Sequence, residues 1–306
     1  MDKWDYICCY VAQKYNNALQ IIARPFVQVS SKGLIKKLNI PYGKAKCQRY
    51  DLIYKDTKKK KPLFIYIHGG GFISGAITLR RPFCYKIASE QDYFVANIDY
   101  RVAPQAHYME QFQDIFDGIS AVFDKRNEYN FDISKVVIGG ESAGAYFASY
   151  LAIMSKHKEL FDKLGISFKY KENFVVKSTL LINGVYEVKP VAQSKLFNVK
   201  SFIKGFLDLS KAEYKDIQNI DDTLLNPTNY IDSDYPPTVI HKGDKDIFGF
   251  STDSLIELFD SLSVEYALVT ATGLSGNHGF TIAPVNKEGK RCFNDTFEML
   301  NTYINR

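Results

Sequence analysis

No part of this chain stays apolar for the roughly eighteen residues that a membrane-crossing helix needs, so nothing in the sequence spans a bilayer. Cysteine is scarce and unpaired. Cys8, Cys9, Cys47, Cys84 and Cys292 are an odd set with no Cys-x-x-Cys, which suits reduced thiols in a cytoplasmic protein. The five histidines show no metal-ligand spacing, and no metal or cofactor is implied. Phosphate-cradling patterns are missing too: Gly69, Gly71 and Gly75 miss the Gly-x-Gly-x-x-Gly spacing, and no Gly-x-x-x-x-Gly-Lys-Ser/Thr occurs. The net charge of +5 is spread along the chain. Its one basic run, Lys58 to Lys61, stands before Pro62 and an apolar strand and reads as a solvated turn, not a nucleic-acid patch. Met1-Asp2-Lys3-Trp4-Asp5 has no basic region, and the apolar patch Tyr6 to Ala12 is too short for a secretory signal. The sequon Asn294-Asp295-Thr296 therefore carries no weight. There is no internal repeat and no low-complexity segment.

The 306 residues are 46% hydrophobic and 24% charged, with 22 Phe and 21 Tyr against a single Trp. That is enough apolar material for one large domain or two smaller ones. Trp4, Cys8, Val11, Tyr15, Ala18 and Ile22 fall on one face of a helix, which is expected to pack on the body. Strands are expected over 48–54, 63–67, 93–98, 178–182, 236–241 and 264–270. Helices are expected over 79–90, 109–125, 252–262 and 292–304. Strand and helix alternate, which implies a mostly parallel sheet with helices on both faces. Two stretches fall outside that alternation. Residues 1–45 read as the N-terminal helical part of a cap. The catalytic domain then occupies 46–306, with a cap insertion at about 183–225 placed over the sheet's C-terminal edge, where ligands bind in such sheets.

The chain is organised around Val136-Val137-Ile138-Gly139-Gly140-Glu141-Ser142-Ala143-Gly144. An apolar strand stops at a serine between two glycines, and Ala145 to Ala152 continues as a helix. Strand, tight turn and helix give Gly-x-Ser-x-Gly its mechanism, since the turn pushes the Ser142 hydroxyl out above the sheet edge. A Cβ at Gly140 or Gly144 would clash where strand and helix cross.

Such a nucleophile needs a base, an acid to orient the base, and donors for an oxyanion. His278, in Gly276-Asn277-His278-Gly279-Phe280 after the last strand, is the base that the sequence offers. The alternatives fall away in turn. His68 belongs to a glycine loop, His107 and His157 have polar surroundings, and His241 sits in or at the end of a strand. Either Asp244 or Asp246 could be the acid. Asp246 is favoured because Ile247-Phe248 can anchor its loop against the body. His68-Gly69-Gly70-Gly71 leaves bare N–H groups, so Gly70 and Gly71 can converge with the N–H of Ala143 on a developing negative charge.

From about residue 60 to the C-terminus the chain resembles the hormone-sensitive-lipase-like carboxylesterases of the α/β-hydrolase fold. The likeness rests on His68-Gly69-Gly70-Gly71-Phe72, Asp99-Tyr100-Arg101-Val102-Ala103-Pro104, Gly140-Glu141-Ser142-Ala143-Gly144, Asp246 and His278-Gly279-Phe280, with Pro227 and Pro236-Pro237 as punctuation. The resemblance implies a serine esterase with a helical cap made partly of the N-terminus. It favours Asp246 over Asp244 and gives His68 a structural role. Departures are Glu141 where Asp is usual, Ala145 where a third glycine is common, and no acidic residue or prolines directly after Pro104.

The expected activity is hydrolysis of a short-acyl, small-molecule carboxylic ester through an acyl-enzyme. An arylformamidase or amidase on the same machinery is the alternative, and a catalytically silent ligand-binding protein is a third reading. Tyr186, Phe197, Phe202 and Phe206 are expected to narrow the cap, and no long exposed apolar helix of the kind that docks on a lipid droplet is expected. A homodimer is left open.

Overall fold

The computed structural model describes residues 29–194, 199–279 and 286–306, with positions 3, 6, 7, 9–11, 13–15 and 18 of the N-terminal segment. Eight strands form one sheet: β1 Leu34–Pro41, β2 Arg49–Lys55, β3 Lys61–Ile67, β4 Phe94–Ile98, β5 Phe131–Glu141, β6 Val176–Ile182, β7 Thr238–Gly243 and β8 Tyr266–Ala271. Their order is β1-β2-β4-β3-β5-β6-β7-β8. The β1–β2 and β2–β4 pairs are antiparallel, and every other pair is parallel.

The central strands are nearly continuous apolar runs because both faces are covered. Successive side chains leave a strand on opposite sides, and β3 shows the division. Leu63, Ile65 and Ile67 enter one core, while Phe64 and Tyr66 enter the other. The larger core is closed by α2 (Tyr108–Asp124), α3 (Ala143–Met154) and α8 (Gly249–Leu262). On the other face, α1 (Ile77–Glu90) and α9 (Lys287–Ile304) supply Phe83, Cys84, Ile87, Cys292, Phe293 and Phe297. Every residue of α3 is buried, as expected of a helix that is apolar all round. Between β6 and β7 come α4's successors in the chain: after α4 (Glu159–Lys163), the short helices α5 (Val188–Gln193), α6 (Val199–Leu207) and α7 (Lys211–Lys215).

Two expectations for the N-terminal part are corrected. Residues 34–41 are not helical. They form the edge strand β1, whose alternation is broken by a register shift between Lys37 and Ile40 and by Asn39 at φ 57°. Lysines and a bulge are typical of an edge strand, and they hide its period. The described residues near the start are helical, but they are turned differently from the expected face. Cys9 is buried, whereas Val11, Tyr15 and Ala18 are exposed along with Tyr6, Ile7 and Tyr10. Cys9 Sγ donates to Ser201 O at 3.1 Å and Gln13 Nε2 to Ile73 O at 2.9 Å, and these bonds set the rotation. Trp4, Cys8 and Ile22 lie outside the described residues. Among the described residues, no helix is long and apolar enough to cross a membrane.

Candidate active site

β5 delivers Ser142 at its C-terminal end, and α3 leaves immediately afterwards. The backbone of Ser142 sits at φ 54° and ψ −119°, a strained region for a residue with a Cβ. It is held there because Ser142 N donates to Ile182 O at 2.9 Å. The two flanking glycines are required by contact. A Cβ on Gly144 would come within 2.1 Å of Ile67 O, and one on Gly140 within 2.4 Å of the Gly144 backbone.

Two loops from neighbouring strands approach the serine from the side. The loop after β7 carries Asp246 and the loop after β8 carries His278. They run together: Lys245 N donates to Gly276 O at 3.0 Å, and a Cβ on Gly243 would meet Gly276 O at 2.0 Å. His278 Nε2 lies 2.9 Å from Ser142 Oγ, and His278 Nδ1 lies 2.7 Å from Asp246 Oδ1. Asp246 Oδ1 also accepts from Phe248 N at 2.9 Å, and its Oδ2 accepts from Asn183 Nδ2 at 2.7 Å. Burial alone would raise the carboxyl's pKa. The hydrogen bond and charge of His278 outweigh it, aided by Phe248 N and Asn183, and hold Asp246 below the usual carboxylate value. Asp244 is exposed, and Asp246 is the residue facing His278. The anchor of its loop is Phe248, which packs edge-on against the His278 ring at 5.0 Å. Ile247, expected to share that role, is exposed.

The glycine loop follows β3. His68 Nε2 faces Asp99 Oδ1 at 3.1 Å and its Nδ1 faces Gly69 O at 2.9 Å, while the ring stacks on Tyr100 at 4.3 Å. Gly71 has φ +63°, a left-handed conformation that only glycine adopts freely. Among the described residues the N–H groups of Gly70 and Gly71 have no partner. Ala143 is the first residue of α3, so no helical carbonyl takes its N–H.

Glu141 joins this loop to the serine turn. Its Oε1 accepts from Gly69 N at 2.8 Å, its Oε2 from Tyr66 Oη at 2.5 Å, and Arg80 Nε ion-pairs with it. Burial, reinforced by the Glu141 charge, pushes the Tyr66 phenol far above its ordinary pKa.

α6 lies directly on the glycine loop. Phe202 is packed so closely that a Cβ on Gly71 would meet its ring at 2.8 Å, and Phe206, one turn on, stacks on Phe72 at 3.9 Å. His107 Nδ1 donates to Gly205 O at 2.7 Å and ties the same helix to the start of α2. Phe206 and Tyr186 are fully buried and are packing groups, while Phe202 is partly exposed. Phe197 and Phe280 lie outside the described residues.

The family model BD-FAE matches residues 51–254, two thirds of the chain and both β5 and the Asp246 loop. The chain belongs to the BD-FAE family. With it, the likeness to carboxylesterases of the α/β-hydrolase fold that the motifs carry holds. This BD-FAE protein is 26% identical over 216 residues to an acetyl esterase of Salmonella schwarzengrund, covering 67% of this chain and 60% of that one. It is 25% identical over 195 residues to "Probable carboxylesterase 1" of Arabidopsis thaliana, covering 60% of this chain and 56% of that one. The chain thus spans less than two thirds of these relatives' own lengths. Esterase B of Lactobacillus rhamnosis, solved with a tributyrin phosphonate inhibitor, shares the fold. The TM-score is 0.82 at 24% identity, over 99% of this chain and 96% of that one.

Sequence reasoning missed Asn183, Tyr66 and Arg80. Asn183 follows a strand without any motif. Tyr66 and Arg80 act through contacts 75 and 61 residues away in the chain, which no local pattern reports.

Proposed function

We propose that this BD-FAE protein is a serine carboxylesterase that hydrolyses short-acyl esters through an acyl-enzyme. Ser142 Oγ attacks the ester carbonyl as His278 Nε2 takes its proton, and Asp246 holds the imidazole by Nδ1. The N–H groups of Gly70, Gly71 and Ala143 stabilise the oxyanion. His278 then gives its proton to the departing alcohol. Water, deprotonated by His278, attacks the acyl-serine and frees the acid. The observation that carries the reading is the line of two hydrogen bonds, 2.9 Å from Ser142 Oγ to His278 Nε2 and 2.7 Å from Nδ1 to Asp246 Oδ1.

Residues 183–225, with the N-terminal helical residues, act as a cap. The seating of Phe202 and Phe206 on Gly71 and Phe72, and the bond from Gln13 to Ile73 O, support this. The short-acyl preference is supported by the ring of Phe202 over Gly71. The tributyrin-derived inhibitor of the Lactobacillus esterase and the acetyl esterase among the relatives point the same way. One premise of that preference is corrected, because the N-terminal helical residues do expose an apolar face through Tyr6, Ile7, Tyr10, Val11 and Tyr15. Among the described residues Cys47, Cys84 and Cys292 form no disulfide, which supports a cytoplasmic setting.

The test is labelling with a fluorophosphonate, followed by mapping of the modified peptide and comparison of p-nitrophenyl ester with arylformamide turnover. Label on Ser142 with ester turnover dominant is the expected result. Label elsewhere, no label, or faster formamide turnover would overturn it.

A further inference from the structure

β6 ends at Ile182, whose carbonyl holds the Ser142 N–H at 2.9 Å. The next residue, Asn183, is fully buried at φ 47°, a left-handed conformation that Asn tolerates better than most residues. Its side chain works in two directions. Nδ2 donates to Asp246 Oδ2 at 2.7 Å, and Oδ1 accepts from Gly279 N, the residue after His278, at 3.3 Å. Its own N–H donates to His241 O on β7 at 3.3 Å. Two adjacent residues at the end of one strand therefore touch the serine turn, the acid and the histidine loop.

We propose that Asn183 is a positioning residue for the reaction, clamping Asp246 and the His278 loop in register with Ser142. This rests on the triad reading given above. A carboxamide suits the place because it donates and accepts at once. The side chain of Asp246 is fully buried, so water does not replace a lost donor at Oδ2. An aliphatic side chain leaves both Asp246 Oδ2 and Gly279 N short of a partner. A carboxylate keeps the acceptor for Gly279 but sets a negative charge against Asp246.

The experiment compares kcat and KM for Asn183→Ala and Asn183→Asp, each alone and combined with Asp246→Asn. Alone, Asn183→Ala is expected to lower kcat by about tenfold to a hundredfold, the worth of a hydrogen bond to a charged group, with KM little changed. Asn183→Asp matches the volume and tolerates the same backbone conformation, and a thermal melt of each variant separates a lost fold from a lost alignment. Asn183→Asp is expected to lose at least as much. With Asp246→Asn already present, the added loss from Asn183→Ala should nearly vanish, because residues that act as a unit are not additive. Near-normal kcat for Asn183→Asp, or an equal fractional loss in both backgrounds, would overturn the proposal and leave Asn183 a turn residue. If Asp246→Asn itself left kcat unchanged, the acid assignment would fall and the proposal with it, and that outcome is read from the single variant.

Discussion

The carboxylate of Glu141 reaches from the residue before Ser142 to the backbone N–H of Gly69, 2.8 Å away, so one side chain sets the spacing between the serine turn and the glycine loop. The resembling family usually has Asp here. Glu141→Asp is one methylene too short to serve Gly69 N, Tyr66 and Arg80 together, and it should lower kcat/KM while the chain still folds. Glu141→Ala removes the carboxylate shared by Gly69 N, Tyr66 and Arg80 and should destabilise the fold by about 1–3 kcal/mol. Urea unfolding and ester kinetics on both variants would check this. Unchanged kinetics for Glu141→Asp would remove Glu141 from the alignment of the loop.

Ser142→Ala should abolish ester turnover and covalent labelling with little change in thermal unfolding, since Ala keeps the Cβ and loses only the hydroxyl. Full labelling of the variant at the original rate would place the nucleophile elsewhere.

Asp246→Asn should cut kcat by about three to four orders of magnitude, because the imidazole is then held in the wrong tautomer. Asp244 is exposed and does not face His278, so Asp244→Asn should cost little. The reverse order in a steady-state assay would refute the assignment.

Phe202 covers Gly71 and should limit acyl length. Phe202→Ala should raise kcat/KM for octanoate and palmitate esters relative to acetate and butyrate. Replacing Gly71 by a larger residue drives a Cβ into that ring and misplaces an N–H donor, a loss of about a hundred- to a thousandfold. A p-nitrophenyl ester series across both variants measures the two effects. A jump in native turnover at a lipid interface would sink the short-acyl preference.

His241 is buried on β7, with Nε2 2.6 Å from Thr296 Oγ1 and no partner for Nδ1 among the described residues. Burial, with the charge of Arg291 adding to it, pulls its pKa down to about 3. Unfolding restores the ordinary value of about 6.5. Between these two the unfolded chain binds a proton that the folded chain refuses, so stability falls as pH drops through that window and levels off below it. The contribution is on the order of a few kcal/mol. Denaturant midpoints at pH 7 and pH 5 should differ less in His241→Gln than in the native chain. Equal differences would remove His241 from the acid response.

The sheet was legible because its inner strands are unbroken apolar runs of a length that only a doubly covered strand carries. The approach of His278 to Ser142 was expected because each has a short signature after a strand, whereas Asp246 shared its loop with Asp244 and was favoured through Ile247-Phe248, of which only Phe248 packs inward. β1 was not. Its period is interrupted at Asn39, and lysines take the positions where apolar residues would have marked a buried face. The rotation of the N-terminal helical segment was missed for a different reason. A residue as small as Cys9 decides which side faces the body, while the larger Val11 and Tyr15 stay outside. Asn183 illustrates the limit of motif reading, because its partners are 63 and 96 residues further along the chain.

The backbone of Ser142 has one more consequence. A side chain at φ 54° stores strain of about 1–3 kcal/mol, which Ala retains and Gly does not. Ser142→Gly should therefore melt at a higher temperature than the native chain and than Ser142→Ala. The fold would be sturdier without its proposed nucleophile, and a reactive serine at this position would run against the chain's own preference for repose.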